Sequence, residues 1–555
     1  MFKHARPWLV QLGWLTCLSP LMVGVLPEVT WAASRIHVSY SFLERSISVS
    51  ALETFAKEGR ITGDLVPYAR YLNPDQLENL RQGLQEQIDL EPVTVAQFLY
   101  TPIGEQLLHR VGQVIRSRSG HGSFFALRAS LILAAADPEG FTALSVLRHY
   151  PADGVQVDFS AGLALLNEVR QLIDETNQAV ADIRSSSESE VAPMTALGYS
   201  LQQRGSFTWE KVTLELQDNS PQRLNYTGRA RTYPADIYLP NLPNSSPQPV
   251  VVISHGLNSN RSTFLYLAEY LASHGFVVAV PEHIGSNTQQ ILGLLSGQTS
   301  DVIQPTEFVD RPQDVTFLLD TLEARSQSDP TFANRLDLEN VGVIGQSFGG
   351  YTALALAGAP LNFEQLQQDC TEQLETTLNL SLLLQCQALR LPLQNYDLKD
   401  DRVQAIIAIN PIGSSLFGVE SYAQVEVPVL MVAGSADTVS PALLEQIQPF
   451  AWLSSSNRYL MMIEGGTHFS ALEPPDPSAE GLPSFPELIG PAPHLARGYM
   501  EFFSAAFLKA FVAQQPEFEN LLTSSYAASL SELVLPLRLT QFGASAQAES
   551  AVIAP

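Results

Sequence analysis

The sequence predicts an α/β chain in which a mostly parallel sheet is covered on both faces by helices and preceded by an all-helical N-terminal domain. Three observations carry that expectation. From about residue 207 to residue 463, short apolar runs alternate with helix-like segments, as buried parallel strands do. Between residues 34 and 184, apolar side chains recur instead at helical spacing. Val343–Gly350 reads Val-Ile-Gly-Gln-Ser-Phe-Gly-Gly, an apolar run that turns sharply into a small-residue helix.

The chain opens on Met1–Ala33, which has the pattern of a cleaved export signal. Lys3, His4 and Arg6 make a basic start, Trp8–Val29 is largely apolar, and Thr30-Trp-Ala32 offers small residues at the two positions a signal peptidase reads. A retained anchor is the alternative, weakened by Pro20 and Pro27. In the helical domain, Asn73-Pro-Asp-Gln is a helix start with an Asn cap and a first-turn proline. Leu77, Leu80, Leu84 and Ile88 then follow on one face. Thr101-Pro102 opens a second helix with Leu107, Leu108, Val111 and Ile115 as its stripe. His109, His121 and His149 read as surface or packing residues. The polar run Ser185–Glu190 marks a linker over 185–195.

Residues 196–515 form the predicted catalytic domain. Strands are expected at Phe207–Leu216, Arg231–Leu239, Val250–Ser254, Val277–Pro281, Val341–Ile344, Val403–Ile409, Val427–Ala433 and Tyr459–Ile463. Helices are expected at Tyr266–His274, Asp314–Leu322 and Met500–Val512. Insertions at about 284–309 and 360–400 lie at strand C-termini, where a cap over a site would sit. Residues 516–555 read as an extension whose end, from Gly543, is small, polar and disordered.

Gly345-Gln-Ser347-Phe-Gly349 is a G-x-S-x-G nucleophile elbow in its strand–turn–helix setting. Bulky neighbours would collide at so sharp a turn, and the glycines remove those collisions. The motif is common by chance, so its partners matter. Asp437 follows an apolar strand about 90 residues after the serine, and His468 follows another strand about 30 residues later. Ser…Asp…His is the chain order of α/β-hydrolases. Ser347 would attack, His468 would carry the proton, and Asp437 would fix the imidazole tautomer. The backbone amides of Leu257 and Phe348 would form the oxyanion hole. Glu464 and Asp401 are rival acids placed wrongly relative to their strands. His255, His274 and His283 are expected to be structural.

The net charge of −26 speaks against nucleic acid and against electrostatic docking on anionic lipid, leaving peripheral apolar lipid contact open. Cys370 and Cys386 remain once the signal is removed. In an exported chain such a pair suggests a disulfide closing a short loop, with two buried thiols as the alternative. Two cysteines do not make a metal site, and the serine chemistry calls for no metal or organic cofactor.

Ile253-Ser-His-Gly-Leu257, Tyr270-Leu-Ala-Ser-His-Gly-Phe-Val-Val278, Glu282-His283 and Gly345–Gly350 resemble the platelet-activating-factor acetylhydrolase branch of the α/β-hydrolases. That resemblance implies a calcium-independent serine esterase or lipase acting on short or oxidised acyl esters. The family commonly has histidine before the serine, where this chain has Gln346. The N-terminal region resembles a helical domain of unknown function that precedes exported hydrolases of photosynthetic bacteria. The expected function is an exported serine carboxylic-ester hydrolase acting on a small-molecule or lipid ester. Two alternatives stay open: acyl transfer by the same triad, or a non-catalytic envelope protein whose helical domain binds a protein partner.

Overall fold

The computed structural model describes residues 33–542, except 41–42, 89, 118–122, 152–153, 188–194, 243–245, 375–376 and 474–488. The export signal over 1–32, most of the linker, His121 and the tail from Gly543 lie outside the described residues. Among the described residues, no helix is long and apolar enough to cross a membrane.

The N-terminal unit corrects one expectation. It is mostly helical, but not wholly so: β1 (Arg35–Tyr40), β2 (Leu43–Ser48), β3 (Ile115–Ser117) and β4 (Gly154–Asp158) form a sheet in the order β2-β1-β4-β3. These strands are short, and β1 and β4, which pair in parallel, lie over a hundred residues apart, so no local period announces them. The helices start as their caps dictate. Asn73 and Gln76 make a reciprocal capping box, and Thr101 accepts from Gly104 N–H. Two small cores result, one around Leu52, Phe55, Leu65 and Leu144, the other around Val95, Leu99, Leu108, Leu127 and Tyr150.

The helix Phe159–Ser186 runs across the expected domain boundary, and its Val180 and Ile183 are buried in the core of the following unit. The N-terminal unit also packs on both insertions. Helix Pro92–Leu99 meets Thr288–Leu295, and helix Pro102–Val114 meets Leu380–Gln385, with Arg110 Nε donating to Leu374 O at 2.9 Å.

Among the described residues the larger sheet has nine strands: β5 (Trp209–Asp218), β6 (Arg231–Pro240), β7 (Gln248–Ser254), β8 (Val277–Pro281), β9 (Leu336–Gln346), β10 (Val403–Ile409), β11 (Val429–Gly434), β12 (Arg458–Ile463) and β13 (Leu537–Phe542). Their order is β13-β12-β11-β10-β9-β7-β8-β6-β5. The six strands from β12 to β8 are mutually parallel, and antiparallel pairs close both edges. β13 corrects the reading of 516–555 as a mere extension, because Leu537 and Leu539 are core residues.

Alternation along the strands divides the core in two. Val250, Val252, Val341 and Val343 face helices Glu307–Ser328 and Phe348–Leu356. Val251, Ile253 and Ile344 face helices Leu265–Ser273 and Pro493–Phe511. Each such fully buried side chain stabilises the fold by about 1.5–3 kcal/mol. Helix Glu307–Ser328 begins earlier than expected, so residues 307–309 belong to the sheet-packing layer rather than to the first insertion.

From β7 the chain crosses to β8 on one side, then to β9 on the other. Loops leaving β7 and β9 therefore diverge, opening a crevice at a topological switch point. Ser254 pairs with Gly345 and Ile409 with Gln346, which brings those strand ends level.

Candidate active site

Ser347 occupies the turn between β9 and helix Phe348–Leu356 with φ 57° and ψ −116°. A non-glycine residue in that region stores on the order of 1–3 kcal/mol of strain, which the surroundings must hold. They do so closely. A Cβ at Gly345 would run into Gly349 O, and one at Gly349 into Ser254 O. Ser347 N–H donates to Ile409 O at 2.9 Å, pinning the turn to β10.

Asp437 and His468 stand at the ends of β11 and β12. His468 Nδ1 lies 2.7 Å from Asp437 Oδ2, and the two side chains are 4% and 0% exposed. The carboxylate is over-determined: Oδ1 accepts from Val439 N–H and Ser440 N–H, both at 2.8 Å. Oδ2 accepts from Asn410 Nδ2 at 2.6 Å and Ser440 Oγ at 3.0 Å. Burial works to raise the Asp437 pKa, but His468, Asn410 and Ser440 N–H outweigh it and hold the carboxyl below its ordinary value. A carboxylate on Nδ1 keeps the proton there, leaving Nε2 as the base. Gln346, beside the serine, donates through Nε2 to His468 O at 3.1 Å. The Ser347 hydroxyl makes no hydrogen bond to the imidazole here; such contacts commonly tighten only once substrate is bound.

Leu257 lies in the loop after β7 and Phe348 opens the helix after β9, and among the described residues neither backbone N–H donates to a protein group. The remaining histidines have other duties. The His283 ring bridges Ser254 Oγ at 2.9 Å and Asp314 Oδ2 at 2.9 Å, and the His283 backbone N–H donates to His255 Nε2 at 3.0 Å. His274 contacts Gln203 O at 3.1 Å, His149 pairs with Asp137, and His109 stacks on Phe124. Glu464 turns away to Arg184 and Arg538, and Asp401 is a surface partner of Lys399. Among the described residues, no group of three or more His, Cys, Asp or Glu could hold a metal ion.

Cys370 and Cys386 are joined, with an S–S distance of 1.98 Å, linking two helical segments of the second insertion. That insertion is fastened to the sheet ends by Glu445, which is fully buried. Its carboxylate accepts from Asn379, Ser381 and Gln385 of the insertion and from Gly413 and Ser414 after β10.

Sequence reading missed Asn410, Ser440, Glu445 and Arg311. Asn410 could have been noticed as the residue ending a buried strand, and Ser440 as a hydroxyl three residues past the acid. Glu307, Asp310, Arg311 and Asp314 recur at spacings of three and four, which reads as a solvated helix face. All four are 0% exposed. The three carboxylates pair with Arg223 and Arg231, and Arg311 lies 3.8 Å from Glu307.

Two family models match the chain. Residues 32–158 match "Alpha/beta hydrolase of unknown function (DUF1400)", within the N-terminal unit. Residues 231–291 match "Platelet-activating factor acetylhydrolase, isoform II", from β6 through the loops after β7 and β8. No curated protein matches the chain. The order of this sheet is that of an α/β-hydrolase fold, and the chain resembles the platelet-activating-factor acetylhydrolases over residues 231–291, from β6 past β8.

Proposed function

We propose that this hydrolase is an exported serine carboxylic-ester hydrolase working through an acyl-enzyme. The observation that carries the reading is the sealed Asp437–His468 pair, tied by Gln346 to a strained serine elbow. Ser347 Oγ attacks the ester carbonyl carbon as His468 Nε2 takes its proton. The carbonyl oxygen, now an alkoxide, accepts from the amides of Leu257 and Phe348, each such donor lowering the barrier by about 3–4 kcal/mol. When the tetrahedral centre collapses, the imidazolium protonates the departing alkoxide and an acyl ester remains on Ser347. Water, deprotonated by His468, then repeats the attack and releases the acid. Asp437 holds the tautomer and stabilises the imidazolium throughout.

Export is supported by the pattern of Met1–Ala33 and by the Cys370–Cys386 bond, since disulfides persist in oxidising compartments. The test is hydrolysis of a chain-length series of chromogenic esters by the purified protein and its Ser347→Ala variant. A fluorophosphonate probe should add one phosphonyl group to the native protein, at Ser347. Hydrolysis that survives in the variant, or labelling elsewhere, would end the proposal.

A further inference from the structure

Beneath the crevice one side chain touches both sides of the switch point. Arg311 lies on the helix Glu307–Ser328 and is completely buried. Its Nη1 donates to His255 O at 2.7 Å, its Nη2 to Gly256 O at 3.4 Å and its Nε to Ser286 Oγ at 2.9 Å. The guanidinium carbon sits 4.4 Å from the centre of the Phe348 ring. We infer that Arg311 is a positioning residue for the oxyanion donors, aiming the Leu257 amide through its own peptide plane and the Phe348 amide through its ring. This rests on the ester-hydrolase reading above.

The link is peptide geometry. Gly256 C=O and Leu257 N–H belong to one planar trans unit, so they point in opposite directions. Fixing the oxygen fixes the hydrogen. Gly256 O is held from two sides, by Arg311 Nη2 and by His255 Nδ1 at 2.8 Å, and the next carbonyl back is held by Nη1. A cation behind the carbonyl also polarises the unit, so its N–H becomes a stronger donor at the moment negative charge develops on substrate. A Cβ at Gly256 would strike Gln346 Oε1, so a substitution there would have to displace the Gln346 amide.

Arg311 is itself held in place. Ser286 Oγ donates to Glu307 Oε2 at 2.6 Å, and Glu307 lies 3.8 Å from the guanidinium. Burial lowers the Arg311 pKa to about 10, partly offset by Glu307 and Asp314, so the cation persists at neutral pH. Lysine could not substitute, since a single ammonium cannot bridge two carbonyls while lying flat on an aromatic face.

The experiment uses the full chain with Arg311→Lys and Arg311→Met. Steady-state hydrolysis of a chromogenic acetate ester is measured beside affinity for two ligands. Phenylboronic acid forms a tetrahedral adduct on a serine, and a non-hydrolysable ether analogue of the ester does not. The inference expects kcat to fall about 30- to 300-fold with KM within about threefold. Boronate affinity should weaken in step with kcat/KM while ether affinity is unchanged. A folded variant with kcat within threefold of the native value, or equal losses for boronate and ether, overturns it. If both Arg311 variants fail to fold, Ser286→Ala decides. A three- to tenfold loss in kcat with a parallel loss in boronate affinity supports the inference, and native values for both overturn it. Failure of the underlying reading looks different: the native chain hydrolyses no ester, or Ser347→Ala remains active.

Discussion

Gln346 reaches from the serine elbow to the histidine loop, its Nε2 donating to the main-chain oxygen of His468 at 3.1 Å. The same side chain lies against Gly256 on the opposite loop. One amide therefore sets the spacing of three strand ends. Gln346→Ala leaves a buried carbonyl without its donor, a cost of about 1–3 kcal/mol. We expect kcat to fall about tenfold as the two loops relax, a 1.4 kcal/mol loss of transition-state alignment. Chemical denaturation and ester turnover read the two effects separately. A variant of native stability and native kcat would show that the contact is incidental.

Asp437→Asn keeps the shape of the acid and reverses its hydrogen-bonding sense toward Nδ1. An amide N–H pointing at the ring favours the tautomer whose Nε2 carries the proton, which cannot act as base. A fall in kcat of about 10⁴-fold with little change in KM is the expected result. A loss below tenfold would point to another acid.

Acid should destabilise the fold through two imidazoles. Burial lowers the His255 pKa well below its ordinary value, aided by His283 and Arg311. Burial lowers that of His283 too, aided by Arg311, Arg231 and Arg223. Both stay neutral in the folded chain while the unfolded chain protonates them below about pH 6.5. The unfolded state then binds more protons, so stability falls with pH below that point, and the pair adds nothing above it. The slope is at most about 1.4 kcal/mol per pH unit for each imidazole. Melting temperatures measured from pH 8 to 5 should be flat at first, then decline. A decline that begins only in the carboxylate range would acquit the histidines.

Arg223 is fully buried and donates to Asp218, Asp310 and Asp314 at 2.6–2.8 Å. Arg223→Met leaves buried Asp218 without its cation and Asp310 and Asp314 with Arg231 alone among the buried cations, a loss of about 3–5 kcal/mol. Equilibrium unfolding of the variant measures it, and a loss under 1 kcal/mol would mean that the carboxylates reorganise freely.

The Cys370–Cys386 bond closes a loop of 16 residues, which restricts the unfolded chain by about 3 kcal/mol. Replacing both cysteines with serine should lower stability by that order. It should also disturb turnover of long acyl esters more than acetate esters, because the bond braces the second insertion. Uniform effects across chain length would separate the disulfide from substrate selection.

The order of chemistry along this chain was legible because it is local. Gly345 and Gly349 announce the elbow, and the apolar strands before Asp437 and His468 announce where those side chains emerge. The parallel core showed in unbroken Val and Ile runs, since strands covered on both faces need no polar alternation. The elements that stayed hidden depend on partners distant in sequence. β1 and β4 pair across more than a hundred residues, β13 joins the sheet from what resembled a tail, and helix Phe159–Ser186 serves two cores at once.

Arg311 is the sharpest case. Its stripe with Glu307, Asp310 and Asp314 has the spacing of a solvent-facing helix surface, and nothing local contradicts that. Only packing beneath the switch point, with Arg223 and Arg231 arriving from β6 and the helix before it, turns the stripe into a buried charge network. The sequence by itself determined which groups could react and in what order they lie. Tertiary structure decided which carbonyls and carboxylates surround them, because burial and charge pairing are properties of neighbours that the chain brings together only on folding.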